Sequence, residues 1–157
     1  MSVTVPGNFI GNINEKEKGS YAAYALCSVV QGGCTGLKVT DNIAAGAPYA
    51  GFVAPGHDCD DYSSTKFRNN VAHSIVGASA GHGALIYPDP DANHGGCYEG
   101  SYFSAYKCYY QGAYAYYSSN KVVFSRMTMI DNRLGFGAGL AAGDRASATI
   151  LIKDNKI

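Results

Sequence analysis

The stretch Thr65-Lys66-Phe67-Arg68-Asn69-Asn70-Val71-Ala72-His73-Ser74-Ile75-Val76-Gly77 constrains the fold more than any other part of the chain. In order, it reads as a short strand, an asparagine corner, a second short strand and a glycine turn. Looser copies precede and follow it. A unit of this kind cannot bury its own apolar face, so copies must stack into one continuous core. The pattern predicts an all-β chain wound as a right-handed parallel β-helix. This would be a solenoid of about five to six coils with inserted loops.

The copies fall at residues 9–13, at 36–46 with 51–54, at the stretch above with 83–86, at 102–112 with 113–117, at 126–135 with 136–140, and at 149–157. In the second copy Leu37 and Val39 point one way, and Lys38 and Thr40 the other. Asp41-Asn42 makes its corner, and Ile43 is expected to return to the core. Taking the corner residue as the mark gives Asn12, Asn42, Asn70, Cys108, Asn132 and Asn155, at intervals of 30, 28, 38, 24 and 23. A bare coil takes roughly the low twenties. The longer intervals therefore carry loops, at 47–49, 55–64 and 88–100. Asparagine suits a corner because it tolerates the left-handed region and its amide bonds backbone locally. Stacked amides can also bond from coil to coil. The expected ladder is Asn42, Asn70, Cys108, Asn132 and Asn155. Asparagine is common in any turn. However, four of the six marks sit in an Asp-Asn or Asn-Asn pair followed by an apolar or long-chain residue, which favours the ladder.

Composition agrees with close backbone stacking. Only 15% of residues are charged, against about 25% in ordinary globular domains. There are 20 Gly and 13 Tyr, and no Trp. The 12 basic and 12 acidic residues balance. No basic run exists to follow a phosphate backbone or an anionic membrane, so neither nucleic acid nor a membrane surface is an expected partner. No apolar run is long enough to insert in a membrane. The start has no charged segment leading into an apolar one. Residues 1–157 are read as a single β-helix domain, a fragment cut from something longer.

The five cysteines are Cys27, Cys34, Cys59, Cys97 and Cys108, an odd number. Disulfides in an oxidising compartment compete with buried free thiols in a cytosolic protein; disulfides are the expected reading. Cys27 and Cys34 flank Gln31-Gly32-Gly33, a turn able to bring them together. Cys108 is expected to be a buried, inert thiol in the corner stack.

Several of these segments resemble the β-helix region of the fibrocystin (polyductin) and fibrocystin-L family. The resemblance rests on Asp41-Asn42-Ile43-Ala44-Ala45-Gly46, then Ala50-Gly51-Phe52, Pro55-Gly56 and Cys59. It continues in Phe67-Arg68-Asn69-Asn70-Val71-Ala72-His73-Ser74 with Gly83-Ala84-Leu85-Ile86, in Gly95-Gly96-Cys97, in the aromatic strand ending near Lys107, and in 129–132. It covers roughly residues 36–155. Related β-helices occur in the cell-migration-inducing, hyaluronidase-like cell-surface proteins. The resemblance implies an extracellular module of a large cell-surface or ciliary protein, in the ciliary membrane or ciliary hairs. It implies a rod and interaction surface rather than an enzyme. Its partners would be neighbouring domains of the same chain, with glycans or other surface proteins. It also implies a bridge between Cys59 and Cys97 in loops on successive coils. The sequence departs from the family at Cys108, where a corner asparagine is usual, and the glycine-rich neighbour is not present.

No motif carries chemistry with comparable force. Asp89-Pro90-Asp91-Ala92-Asn93 opens like a calcium loop, with Asp89, Asp91 and Asn93 as candidate ligands and Asp58, Asp60 and Asp61 nearby. His94 then stands where the turn glycine belongs, and no Glu follows at the twelfth position. A polar turn is the simpler reading, and neither a metal nor any other cofactor is expected. His73 is expected to hydrogen-bond between coils, and His57, His82 and His94 to lie solvated in loops. The alternative function is a carbohydrate-binding or polysaccharide-cleaving β-helix, drawing on Asp58, Asp60, Asp61, Arg68, Asp131, Arg133, Asp144 and Arg145. These groups form no motif, so no catalytic residue is assigned. A trimeric viral fibre is a third reading, which the cysteines disfavour. Tyr102, Tyr106, Tyr110, Tyr114 and Tyr116 share parity and would face one side of a continuous strand; Tyr109 and Tyr117 would face the other. Core packing competes there with a flat aromatic surface for a glycan or partner.

Overall fold

The computed structural model describes residues 22–25, 38–56, 67–77, 81–87, 97–118, 121–140 and 149–157. These residues form fourteen strands and no helix. They are β1 (Ala22–Ala25), β2 (Val39–Thr40), β3 (Ile43–Ala45), β4 (Ala50–Pro55), β5 (Phe67–Arg68), β6 (Val71–His73), β7 (His82–Tyr87), β8 (Cys97–Ser101), β9 (Ser104–Tyr106), β10 (Gln111–Ser118), β11 (Lys121–Ser125), β12 (Thr128–Ile130), β13 (Leu134–Leu140) and β14 (Thr149–Lys153). Successive strands go in rotation to three sheets, ordered β1-β4-β7-β10-β13, β2-β5-β8-β11-β14 and β3-β6-β9-β12. Every strand pairing is parallel. The protein is thus all-β with stacked parallel sheets, an arrangement consistent with the expected solenoid.

Each coil turns two tight corners, and both are made by a residue in the left-handed region. The first column is Asp41, Asn69, Tyr102, Arg126 and Asp154; the second is Gly46, Ser74, Lys107 and Asp131. Their φ angles lie between 51° and 69°. A non-glycine residue there costs of the order of 1 kcal/mol. The backbone bonds between coils offset that cost. Asp41, Asn69, Tyr102 and Arg126 donate their amides to the carbonyls of Arg68, Ser101, Ser125 and Lys153 in the next coil. Gly46, Ser74 and Lys107 donate likewise to His73, Tyr106 and Ile130.

The residue after each left-handed corner turns inward. At the first corner these are Asn42, Asn70, Phe103, Met127 and Asn155; at the second, Ala47, Ile75, Cys108 and Asn132. The expected ladder therefore divides between two corners. Asn42, Asn70 and Asn155 belong to the first, and Cys108 and Asn132 to the second. Read within one corner, the coil lengths are 28, 33, 24 and 28 at the first and 28, 33 and 24 at the second. The earlier intervals mixed the two. The left-handed residue is also the one before the asparagine. Alternation then puts Asn42 inside (5% exposed), Ile43 outside (64%) and Ala44 inside (1%). This corrects the expectation that Ile43 faces the core.

The interior is narrow on one side and aromatic on the other. Ala44, Ala72 and Ala105 are all buried, and they stack in register along β3, β6 and β9. Directly across lie Gly51 of β4 and Gly83 of β7. A Cβ on Gly51 would come within 2.6 Å of the Gly83 carbonyl and 2.9 Å of the Ala72 Cβ. Only glycine facing alanine lets the sheets approach so closely. On the wider side Phe52, Phe67, Phe103 and Phe124 are buried. Phe67 sits 5.4 Å from Phe52 and 5.5 Å from Phe103, in edge and tilted contacts. Each such ring contributes about 1.5–3 kcal/mol by leaving water.

Candidate functional site

The interior asparagines form the best-bonded polar feature. Asn70 is fully buried, and its Oδ1 accepts from both the backbone amide and Nδ2 of Asn42, each at 3.1 Å. Its Nδ2 donates to the Val39 carbonyl at 2.8 Å. Asn132 repeats this at the second corner, accepting from the Cys108 amide at 2.9 Å and donating to the Ala105 carbonyl at 3.0 Å. Asn155 Oδ1 accepts from the Met127 amide at 2.6 Å. Each asparagine thus binds the corner of the coil before it. The buried Cys108 thiol is free, and burial pushes its pKa up to about 11.

Outside the first corner, the left-handed residues present a polar ladder to solvent. Asn69 Nδ2 donates to Asp41 Oδ1 at 2.6 Å. That bond, then the Thr40 hydroxyl, and then the Arg68 charge hold the Asp41 carboxyl below its ordinary value. The Arg68 guanidinium lies 5.0 Å from the centre of the Tyr102 ring, and Arg126 of the following coil lies 5.2 Å from it. Arg126 also donates through Nη1 to the Tyr102 hydroxyl. Thr40, Asp41, Arg68, Asn69 and Tyr102 line an open hollow of about 410 Å³. Sequence reasoning listed Arg68 among available cations but missed the hollow. Its members are 28 and 33 residues apart along one column, a spacing legible only once the coil length is known.

Elsewhere the structure separates what parity had grouped. Tyr102 sits at a corner, Tyr106 on the outer face of β9, Tyr110 in a turn and Tyr114 on β10. Two corners intervene, so they do not share a face. The side chains of Tyr116 and Tyr117 lie outside the described residues. His73 bonds its own neighbour Ser74 at 3.2 Å and stacks on Tyr106 at 4.8 Å, so its link between coils is ring contact rather than a hydrogen bond. His82 is not in a solvated loop; it begins β7 and is 4% exposed. It stacks on Tyr114 at 5.3 Å and meets Tyr49 and Tyr110 edge-on. Burial lowers its pKa to about 4, and the neighbouring Gln111 side chain works the other way. Cys97 begins β8 and is buried, rather than lying in a loop. It is disulfide-bonded, to a partner outside the described residues.

Asp131 is an exposed corner residue, and Arg133 lies 5.4 Å from the Tyr110 ring centre. Asp58, Asp60, Asp61, Asp89, Asp91, Asn93, Asp144, Arg145, His57, His94, Cys27, Cys34, Cys59 and Asn12 lie outside the described residues. Among the described residues, no three His, Cys, Asp or Glu side chains converge as metal ligands would. No described helix is long and apolar enough to cross a membrane. Compared with family models, curated proteins and solved structures, the chain matches none.

Proposed function

We propose that the chain is a right-handed parallel β-helix module with a mechanical role. It would serve as a rigid segment of a large extracellular protein of the fibrocystin kind, at the cell surface or on a cilium. One observation supports this reading above the others. Both corners of successive coils are tied by backbone bonds, and the first is reinforced inside by the Asn42–Asn70 pair. A chain bonded at every corner resists bending and shear, because each coil is held by its neighbours. The outer corners would meet partners. A Cys59–Cys97 bridge would tie the insertion that carries Cys59 to β8 and stiffen the same stack.

Single-molecule stretching of the chain between inert handles tests the proposal. A load-bearing module should extend in steps as coils peel away, at forces well above those that straighten an unfolded chain. Extension along the entropic curve of an unfolded chain, with no force peak, would overturn it.

A further inference from the structure

We propose that the hollow at the first corner binds the carboxylate of an acidic sugar. The inference stands whether or not the module bears load. Arg68 supplies the anchor. Its guanidinium rests on Tyr102, which Arg126 fixes through its hydroxyl. Among the described residues that guanidinium makes no hydrogen bond, and the Asp41 charge acts on it only through space, so its planar fork is available. Such a fork matches a carboxylate through two parallel bonds.

The other groups in the hollow set the class of ligand. Asp41 stays ionised, because Asn69 and Thr40 bond it. Its carboxylate repels highly charged anions such as sulfate or phosphate clusters, yet it accepts bonds from neutral hydroxyls. A single carboxylate beside hydroxyls satisfies both Arg68 and Asp41, and a carboxylated pyranose carries that combination. A peptide strand fits poorly. The corner offers no free backbone, since the amides of Asp41, Asn69, Tyr102 and Arg126 are all committed to the next coil. Strand addition needs an unpaired edge. The carboxylate could come from a uronate within a polysaccharide or from a terminal sialic acid.

The test is titration of the full chain with a galacturonate trimer, with sialyllactose and with neutral maltotriose, followed by amide chemical shifts and calorimetry. At least one acidic sugar should bind at millimolar concentration or below, and weaken as salt rises. Shifts should centre on Thr40, Asp41, Arg68, Asn69 and Tyr102. Tighter binding of the trimer assigns the internal uronate, and tighter binding of sialyllactose the terminal acid. Arg68→Gln should weaken binding at least about tenfold, and Arg68→Lys by less, because lysine keeps the charge without the fork. Arg68 is on the surface, and a thermal melt checks the fold of both variants. If Arg68→Gln does not fold, the shift map of the unaltered chain decides. No binding of either acidic sugar, equal binding of maltotriose, or shifts centred elsewhere would overturn the proposal.

Discussion

Replacing Asn70 with alanine should damage the stack more than any surface change near it. The side chain is fully buried and makes three bonds, all to the preceding coil. Alanine leaves the Asn42 backbone amide unpaired in the interior, while the Val39 carbonyl loses its second bond and keeps its ladder bond to β5. The Asn42 side-chain amide keeps its bond to the Thr40 carbonyl at 2.9 Å, so it loses less. An orphaned buried polar group costs about 1–3 kcal/mol. One of them, with the lost second bond to Val39 and the small void, gives a loss of about 2–3 kcal/mol. That is a large share of the total stability of about 5–15 kcal/mol usual for a domain. The control is the adjacent exposed corner residue. Asn69→Gly removes one solvent-facing bond but relieves the left-handed backbone, so the change should be within about 0.5–1 kcal/mol. Urea unfolding followed by circular dichroism gives both values, and the slope should be unchanged if only stability moves. A loss under about 1 kcal/mol for Asn70→Ala, or one no greater than that for Asn69→Gly, would refute the reasoning.

Three further outcomes are expected. Gly51→Ala should cost about 1–3 kcal/mol by overpacking, since the new methyl meets a backbone carbonyl and the Ala72 methyl, neither of which can swing away; an unchanged unfolding midpoint would contradict this. His82 packs against Tyr49, Tyr110, Tyr114 and Gln111, with no acidic group among these contacts, and its pKa falls from the ordinary 6.5 to about 4. The fold favours its neutral form, so this contribution is complete above pH 6.5 and is lost as pH falls toward about 4. The loss is at most about 3 kcal/mol. His82→Gln should flatten that part of the stability profile, as measured by unfolding across the range. Under non-reducing conditions, mass spectrometry of tryptic peptides should find Cys97 joined to Cys59, while native Cys108 resists alkylation until the chain is unfolded. Separate migration of the two peptides, or rapid labelling of native Cys108, would count against the assignment.

The sequence made the repeat legible because its corners carry polar residues at fixed places. Asp41-Asn42, Asn69-Asn70, Asp131-Asn132 and Asp154-Asn155 are visible by eye. The fact that these pairs mark two different corners was hidden. In the middle coils Phe103 and Met127 replace the first-corner asparagine, and Ala47 and Ile75 stand at the second corner in the early coils. An apolar residue fills the inward position as well as an amide does, so the mark vanishes without the corner vanishing. Strand β8 was missed for a different reason. Gly100 faces the ring of Phe124, where a Cβ would lie 3.1 Å from its Cε1. Gly95-Gly96-Cys97 and Gly100 therefore read as loop although 97–101 is strand. The recurring Gly51, Gly83, Gly112 and Gly135 were available as a signal. Each opens a third strand opposite an alanine or methionine, and glycine there records a thin cross-section rather than a turn. The polar hollow could not be read at all. Its side chains come from three coils, and only the pairing register brings Asp41, Asn69 and Tyr102 into one column.

Through-space proton contacts measured by NMR test the winding most directly. The account predicts amide and α-proton contacts linking Ala44 to Ala72 and Ala72 to Ala105 in parallel register, with His73 and Tyr106 ring contacts beside them. Short α-proton to α-proton contacts between those strands are the mark of antiparallel pairing, and finding them would contradict it.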